Sequence, residues 1–159
     1  MDFRDAITIV TAELTPQPWD YTTPDGTTLT VIPAGLREDP GAAEVYLRVT
    51  RDKTHAAQAA ITTTDLPALI TALDEPITEP WEHHPHYPDG TEKGRIGEWL
   101  GDHHGLTLGP IDGGFVLTAM EEADHGIAAA SIVLPEAQRL PLASALRRAL
   151  DVARGWEDA

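Results

Sequence analysis

The chain contains no cysteine. This absence excludes a disulfide scaffold, a thiolate zinc site, an iron–sulfur cluster and a cysteine nucleophile. No run of about 18 apolar residues is present, so we expect no segment that spans a membrane. Residues 1–15 have no basic stretch before an apolar core, which is unlike a signal peptide. These absences together predict a soluble, cytoplasmic protein.

Basic residues are scarce. Lys and Arg total 11 against 26 Asp and Glu, so the 159-residue chain has a formal net charge of -15. The acidic excess is spread out: residues 1–75 hold 5 basic and 12 acidic groups, residues 76–105 hold 2 and 6, and residues 106–159 hold 4 and 8. A field of this sign repels phosphate backbones and anionic lipid. The charge therefore predicts no membrane contact, makes duplex nucleic acid an unfavourable ligand and favours a protein partner with a basic surface.

Catalytic motifs are also missing. Serine occurs only at Ser131 and Ser144, and neither lies in the G-x-S-x-G pattern that exposes an activated hydroxyl. The chain has no G-x-x-x-x-G-K-[ST] loop and no G-x-G-x-x-G after a predicted strand, so no phosphate cradle is expected. Because no nucleophile, base and anion hole come together, we predict that the protein is not an enzyme.

An internal repeat is the main positive feature of the sequence. Residues 45–74 parallel residues 115–151: Leu47 matches Leu117, and His55 matches His125. Alternating apolar residues predict strands at 27–33, 44–51 and 56–62, followed by a helix capped by Thr64. The second half repeats this order, with strands at 106–109, 115–121 and 127–134 and a helix at 141–154.

This order predicts an α+β fold of two tandem antiparallel ββ(β)α units, with each sheet covered on one face by a helix. Residues 1–75 form the first repeat, residues 76–105 a Pro/His-rich linker with a short helix at 91–102, and residues 106–159 the second repeat. Residues 3–14 fit a helical face slightly better than a strand, and both readings stay open.

Five of the seven histidines lie in or beside this linker. They are His83, His84, His86, His103 and His104. Neutral imidazole binds zinc, nickel and copper well, so these residues are candidate ligands for a transition metal. No metalloenzyme spacing such as H-E-x-x-H is present, and the alternative is a surface loop with solvated histidines. No other cofactor is predicted.

The linker also combines aromatic and acidic side chains. The candidate partner-binding residues are Trp81, Tyr87, Trp99, Glu82 and Asp89. Aromatic rings on a sheet stack bases when basic residues flank them. Here the flanking residues are acidic, and the same is true of Tyr46, which lies near Glu44. The pattern therefore favours either packing in the core or a groove that binds a protein.

In element order, two strand-rich units that each end in a helix resemble two families. The PUR-repeat and PC4-like single-strand binders have a sheet followed by a helix in each repeat, and this resemblance implies binding to single-stranded nucleic acid. The small acidic chaperones of secretion systems hold a partner peptide, which agrees with the charge. In composition, with only Lys53 and Lys93 and no asparagine, the chain resembles acidic proteins of high-GC actinobacteria or their phages.

We therefore predict a non-enzymatic acidic module that binds another protein as an accessory, chaperone-like or inhibitory factor. The alternative is a nucleic-acid-related protein of PUR/PC4-like layout, acting either as a single-strand binder or as a DNA mimic. Sheet edges can pair between chains, so a homodimer is also compatible with this sequence.

Overall fold

The computed structural model describes residues 19–36, 39–83, 104–123 and 126–157. Within them, the chain forms two similar runs, each with four strands followed by a helix. The first run is β1 (Trp19–Thr22), β2 (Thr28–Leu36), β3 (Asp39–Thr50), β4 (Ala56–Thr62) and helix α1 (Leu66–Ala72). The second run is β5 (Trp81–Glu82), β6 (His104–Ile111), β7 (Gly114–Ala123), β8 (Gly126–Pro135), a 3-10 turn (Glu136–Gln138) and helix α2 (Arg139–Glu157). The segments 3–14 and 91–102, for which helices were predicted, lie outside the described residues.

The first run forms a four-stranded antiparallel sheet in the order β1-β2-β3-β4. Alternation along β3 places Val45, Leu47 and Val49 on one face, where all three are fully buried. Leu47 lies opposite Val31 on β2 and Ala59 on β4, so one face of the sheet is apolar across three strands. Strand alternation in the sequence predicted this face, and the structure confirms it.

The second run forms an equivalent sheet in the order β5-β6-β7-β8. Leu117 on β7 lies between Leu108 and Ile132, and all three are buried. The predicted fold class is therefore confirmed, with two tandem antiparallel units in an α+β arrangement. Two strands were not predicted. β1 (Trp19–Thr22) pairs with β2 at the edge of the first sheet, and Trp81 in β5 lies opposite Leu108, so the stretch expected to be a linker contributes an edge strand to the second.

The two sheets pack together through their apolar faces. β4 packs against β6, β7 and β8 of the second sheet. The buried side chains at the centre of β4, Ala57 and Ala59, are small. Small residues let two sheets approach closely, which explains why this strand is rich in alanine. The core that results contains Phe115, Leu134 and Ile61, each fully buried.

Helix α2 follows the second sheet in sequence but lies across β2 and β3 of the first. Its buried stripe consists of Leu142, Ala143, Leu146, Ala149, Leu150 and Ala153. The helix of the second repeat therefore packs on the sheet of the first repeat. Helix α1 begins after Asp65 rather than Thr64, and no side chain caps its first turn. Neither helix in the described part of the chain has the length and hydropathy that a membrane crossing requires.

A buried arginine connects the two helices. The guanidinium of Arg139, at the start of α2, donates to the carbonyl oxygen of Leu73 at 2.6 Å and to the carboxylate of Glu136 at 2.7 Å. The Arg139 side chain is only 10% exposed. This charged hydrogen bond to a backbone carbonyl joins the end of the first unit to the helix of the second.

Candidate functional site

The outer face of the first sheet carries polar and aromatic side chains in place of the apolar ones inside. Because β3 alternates, Tyr46 and Arg48 both point away from the core. They are two residues apart on one strand, so their side chains leave the backbone about 7 Å apart. Tyr46 lies between Ile32 on β2 and Ala60 on β4. Of these three neighbouring side chains, Tyr46 is the aromatic one.

Arg48 is held in place by the next strand. Its Nε and Nη2 atoms both donate to the Oε1 atom of Gln58 on β4, at 2.9 and 2.7 Å. These two hydrogen bonds fix the plane of the guanidinium against the sheet and restrict its rotamers. Tyr46 has a raised pKa, because its hydroxyl is partly desolvated and the Glu44 carboxylate lies nearby. The phenol is therefore neutral at physiological pH.

The turn that joins β3 to β4 holds further cations. Arg51 and Lys53 are exposed on this turn, and Asp52 between them is the only carboxylate of residues 48–55. Three cationic side chains (Arg48, Arg51 and Lys53) against one anionic side chain give residues 48–55 a local charge of +2. A protein with a net charge of -15 therefore has a short cationic turn here. Two carboxylates border it: Glu44 lies on the same face of β3, and Glu121 accepts from the backbone N–H of Gln58 at 3.0 Å.

The Asp52 carboxylate is directed back into its own turn. It accepts hydrogen bonds from the backbone N–H of Thr54 at 2.7 Å and of His55 at 2.9 Å, and from the Thr54 hydroxyl at 2.8 Å. These donors, with those of Thr54 contributing most, hold the pKa of Asp52 well below its ordinary value. The carboxylate shapes the turn and leaves Arg51 and Lys53 on the outside. We call Tyr46, Arg48, Arg51, Lys53 and Gln58 the hairpin surface.

A groove with a volume of about 720 Å³ lies beside the hairpin surface. One wall is the β1–β2 turn and Arg51, and the other is β8 with the β6–β7 turn. Ile111 and Val133, which are 41% and 53% exposed, contribute apolar side chains to it. The Asp25 carboxylate at this groove accepts from the Thr23 hydroxyl and the Thr27 backbone N–H, which lower its pKa.

The predicted metal ligands are only partly within the described residues. His83 is 4% exposed, and its backbone N–H donates to the Leu106 carbonyl oxygen at 2.8 Å. His104 begins β6 opposite Glu121. His84, His86 and His103 lie outside the described residues. Among the residues that are described, no group of three His, Asp or Glu side chains could hold a metal ion. Metal binding by the full set stays a prediction.

Of the predicted partner-binding residues, too, only some lie within the described part of the chain. Trp81 lies on β5 and packs, partly buried, against the core. Glu82 lies opposite Thr107 on the outer face of the second sheet. Tyr87, Asp89 and Trp99 lie outside the described residues, so a joint surface of these five residues stays a prediction.

Comparison with known proteins gives a likeness in fold. No family model matches the chain, and no curated protein matches it in sequence. Three solved plant structures are similar. WHY1 of Arabidopsis thaliana has a TM-score of 0.56 at 17% identity, covering 89% of this chain and 86% of that one. WHY3 of the same plant has a TM-score of 0.53 at 16% identity, covering 89% and 90%. The plant transcriptional regulator PBF-2 has a TM-score of 0.53 at 19% identity, covering 91% and 87%.

These likenesses correct the predicted partner. A module that acts through a negatively charged surface on a basic protein was expected, but this prediction is wrong, because the role given for a protein of this fold is transcriptional regulation. The same likeness contradicts the expectation that duplex nucleic acid is an unfavourable ligand, which rested on net charge alone. The comparisons favour the nucleic-acid-related alternative over the protein-binding module, because PBF-2 is a plant transcriptional regulator.

Sequence reasoning missed the hairpin surface because it averaged charge over long segments. Residues 1–75 are acidic as a whole, yet Arg48, Arg51 and Lys53 lie within six positions of one another. Strand alternation does place Tyr46 and Arg48 on one face, opposite Val45, Leu47 and Val49. A window the length of residues 48–55, instead of one repeat, would have detected the local positive charge.

Proposed function

We propose that this protein binds single-stranded nucleic acid on the hairpin surface, without catalysis. The observation that supports this most strongly is that Tyr46 and Arg48 share one outer face of β3, next to the cationic turn of Arg51 and Lys53. Proteins that bind single strands combine aromatic rings, on which bases stack, with cations that contact the phosphates. The fold likeness to a transcriptional regulator and the PUR/PC4-like element order support the same function.

Stacking and short-range cation contacts are the attractive interactions available to this surface. Acidic residues elsewhere repel the phosphates, so attraction must come from stacking on Tyr46 and from short-range contacts to Arg48, Arg51 and Lys53. A single strand exposes the faces of its bases, whereas a duplex hides them in its stack. We therefore expect tighter binding to single-stranded than to double-stranded oligonucleotides of equal length.

The first test is a fluorescence anisotropy titration with labelled oligonucleotides. Tyr46→Ala removes the ring, and loss of one stacked base weakens binding by about 1–3 kcal/mol, or roughly 5- to 150-fold in Kd. Tyr46→Phe is the matched control, because it keeps the ring and removes only the hydroxyl, and it should bind within about twofold of wild type. Equal affinity of wild type and Tyr46→Ala would contradict the proposal.

The second test is the salt dependence of binding. Each phosphate contact to a single strand adds about -0.7 to the slope of log affinity against log salt, so three cations set a limit near -2. Repulsion by the acidic residues is screened by salt and makes the slope shallower. Arg48→Ala should weaken binding and reduce the slope, whereas Arg148→Ala, exposed on α2, should do neither. A wild-type slope steeper than about -4 would contradict the proposed site.

The DNA-mimic alternative gives a different outcome. A mimic would bind no oligonucleotide under any salt condition and would instead compete with DNA for a DNA-binding protein. The source among high-GC bacteria or their phages and the cytoplasmic location stay predictions, and neither affects these tests.

A further inference from the structure

The groove between the two sheets lies directly beside the hairpin surface. Arg51 belongs to both: its chain position continues β3 beyond Thr50, and its side chain lines the groove together with the β1–β2 turn. We propose that this groove receives one unstacked base of the same single strand, while Arg51 contacts the phosphate next to that base. This inference rests on the proposed function and extends it from one sheet face to a path across both sheets.

The lining of the groove suits a base rather than a phosphate. Its volume of about 720 Å³ is ample for one nucleobase, and exposed Ile111 and Val133 provide apolar surface for the base faces. The carboxylates of Asp25 and Asp112 lie at the same groove and repel a phosphate group. The phosphate therefore stays at the Arg51 side, and the uncharged base lies against the apolar side chains.

The β8 side of the groove offers uncharged polar atoms. Ser131 on β8 is exposed, and its hydroxyl lies 2.7 Å from the hydroxyl of Thr118. A hydroxyl both donates and accepts, so this pair can meet the edge of a base without selecting one base strongly. Tyr21, at the β1 side, packs partly buried against the core and adds an aromatic edge to the wall. The groove thus provides apolar contact and hydrogen bonding for a base.

A matched pair of variants tests this site. Val133 and Val116 face each other on adjacent strands and on the same outer face of the second sheet, but only Val133 lines the groove. Val133→Asp and Val116→Asp therefore introduce the same charge at nearly the same place. We expect Val133→Asp to weaken single-strand binding about tenfold more than Val116→Asp, because its carboxylate would lie against the bound base and lose hydration.

Circular dichroism will establish that both variants fold. If either aspartate unfolds the protein, Val133→Thr and Val116→Thr repeat the comparison with an uncharged change of similar volume, and the variant in the groove should again bind more weakly. Equal weakening within each pair, while Tyr46→Ala still weakens binding as expected, would overturn the groove and leave the hairpin surface intact. Failure of wild type to bind any single strand would overturn the proposed function itself.

Discussion

Gly114 provides a sharp test of the packing of the second sheet. It is the first residue of β7, and it lies opposite Pro135 on β8. A Cβ atom at this position would overlap the carbonyl oxygen of Leu134 and would lie 3.0 Å from both the Leu134 carbonyl carbon and the Pro135 Cα. These are backbone atoms of the neighbouring strand, so they cannot rotate away. The Gly114→Ala variant must therefore move β8 or the β6–β7 turn.

The size of the effect follows from two opposing contributions. Overpacking of this kind costs about 1–3 kcal/mol, whereas replacing glycine by alanine restricts the unfolded chain and returns about 0.4–1 kcal/mol. The net loss is then about 1–2 kcal/mol, which lowers the Tm by about 2–8 °C for a domain of this size. Thermal and urea unfolding followed by circular dichroism would measure both the Tm and the free energy of unfolding.

Gly109→Ala is the matched control. Gly109 lies on β6 opposite Val116, and a Cβ there would meet no atom within 4 Å. Only the effect on the unfolded chain remains, so this variant should be unchanged or more stable by up to about 1 kcal/mol. A Gly114→Ala protein with a Tm equal to or above that of Gly109→Ala would refute the reasoning, because it would mean that β7 and β8 do not approach as closely as the structure shows.

Two further predictions concern stability. Arg139→Ala removes the charged hydrogen bonds to Leu73 and Glu136 and should lower the free energy of unfolding by about 2–4 kcal/mol, while exposed Arg148→Ala should change it by less than about 0.5 kcal/mol in the same urea titration. The pKa of Asp52 is lower in the folded state than its ordinary value of 3.8, so the ionised group stabilises the fold above that pH and loses this effect as the pH falls toward the folded-state pKa. The difference in Tm between wild type and Asp52→Asn should therefore be largest near neutral pH and shrink below about pH 4, and a difference that grows on acidification would contradict this assignment.

Much of the fold could be predicted from local pattern. The alternation of Val45, Leu47 and Val49 requires an extended strand with one buried face, and Leu66, Leu69 and Ile70 recur at helical spacing. β5 could not be predicted, because a strand of two residues has no period to detect. Trp81 packs partly buried against the core, and this contact exists only in the folded molecule.

The candidate site was less predictable than the fold. The residues that form the hairpin surface are close in sequence, but whether they can contact a ligand depends on which face of β3 the rest of the protein covers. Glu44 and Arg48 lie two residues on either side of Tyr46 and share its face of β3, so one acidic and one basic side chain flank the ring. The sheet register shows Arg48 and Gln58 on the same outer face and makes the cationic turn its continuation.

Strand and helix periods, turn residues and net charge are local or summed properties, and the printed sequence was enough to establish two repeated α+β units and an acidic chain. The tertiary structure decided that α2 crosses from the second unit to the first sheet, that β4 with its alanines faces the second sheet, and that Arg51 lies at a groove between them. These features depend on how two apolar sheet faces and one helix share a single core. Such an arrangement minimises exposed apolar surface over the whole chain, so no single segment specifies it.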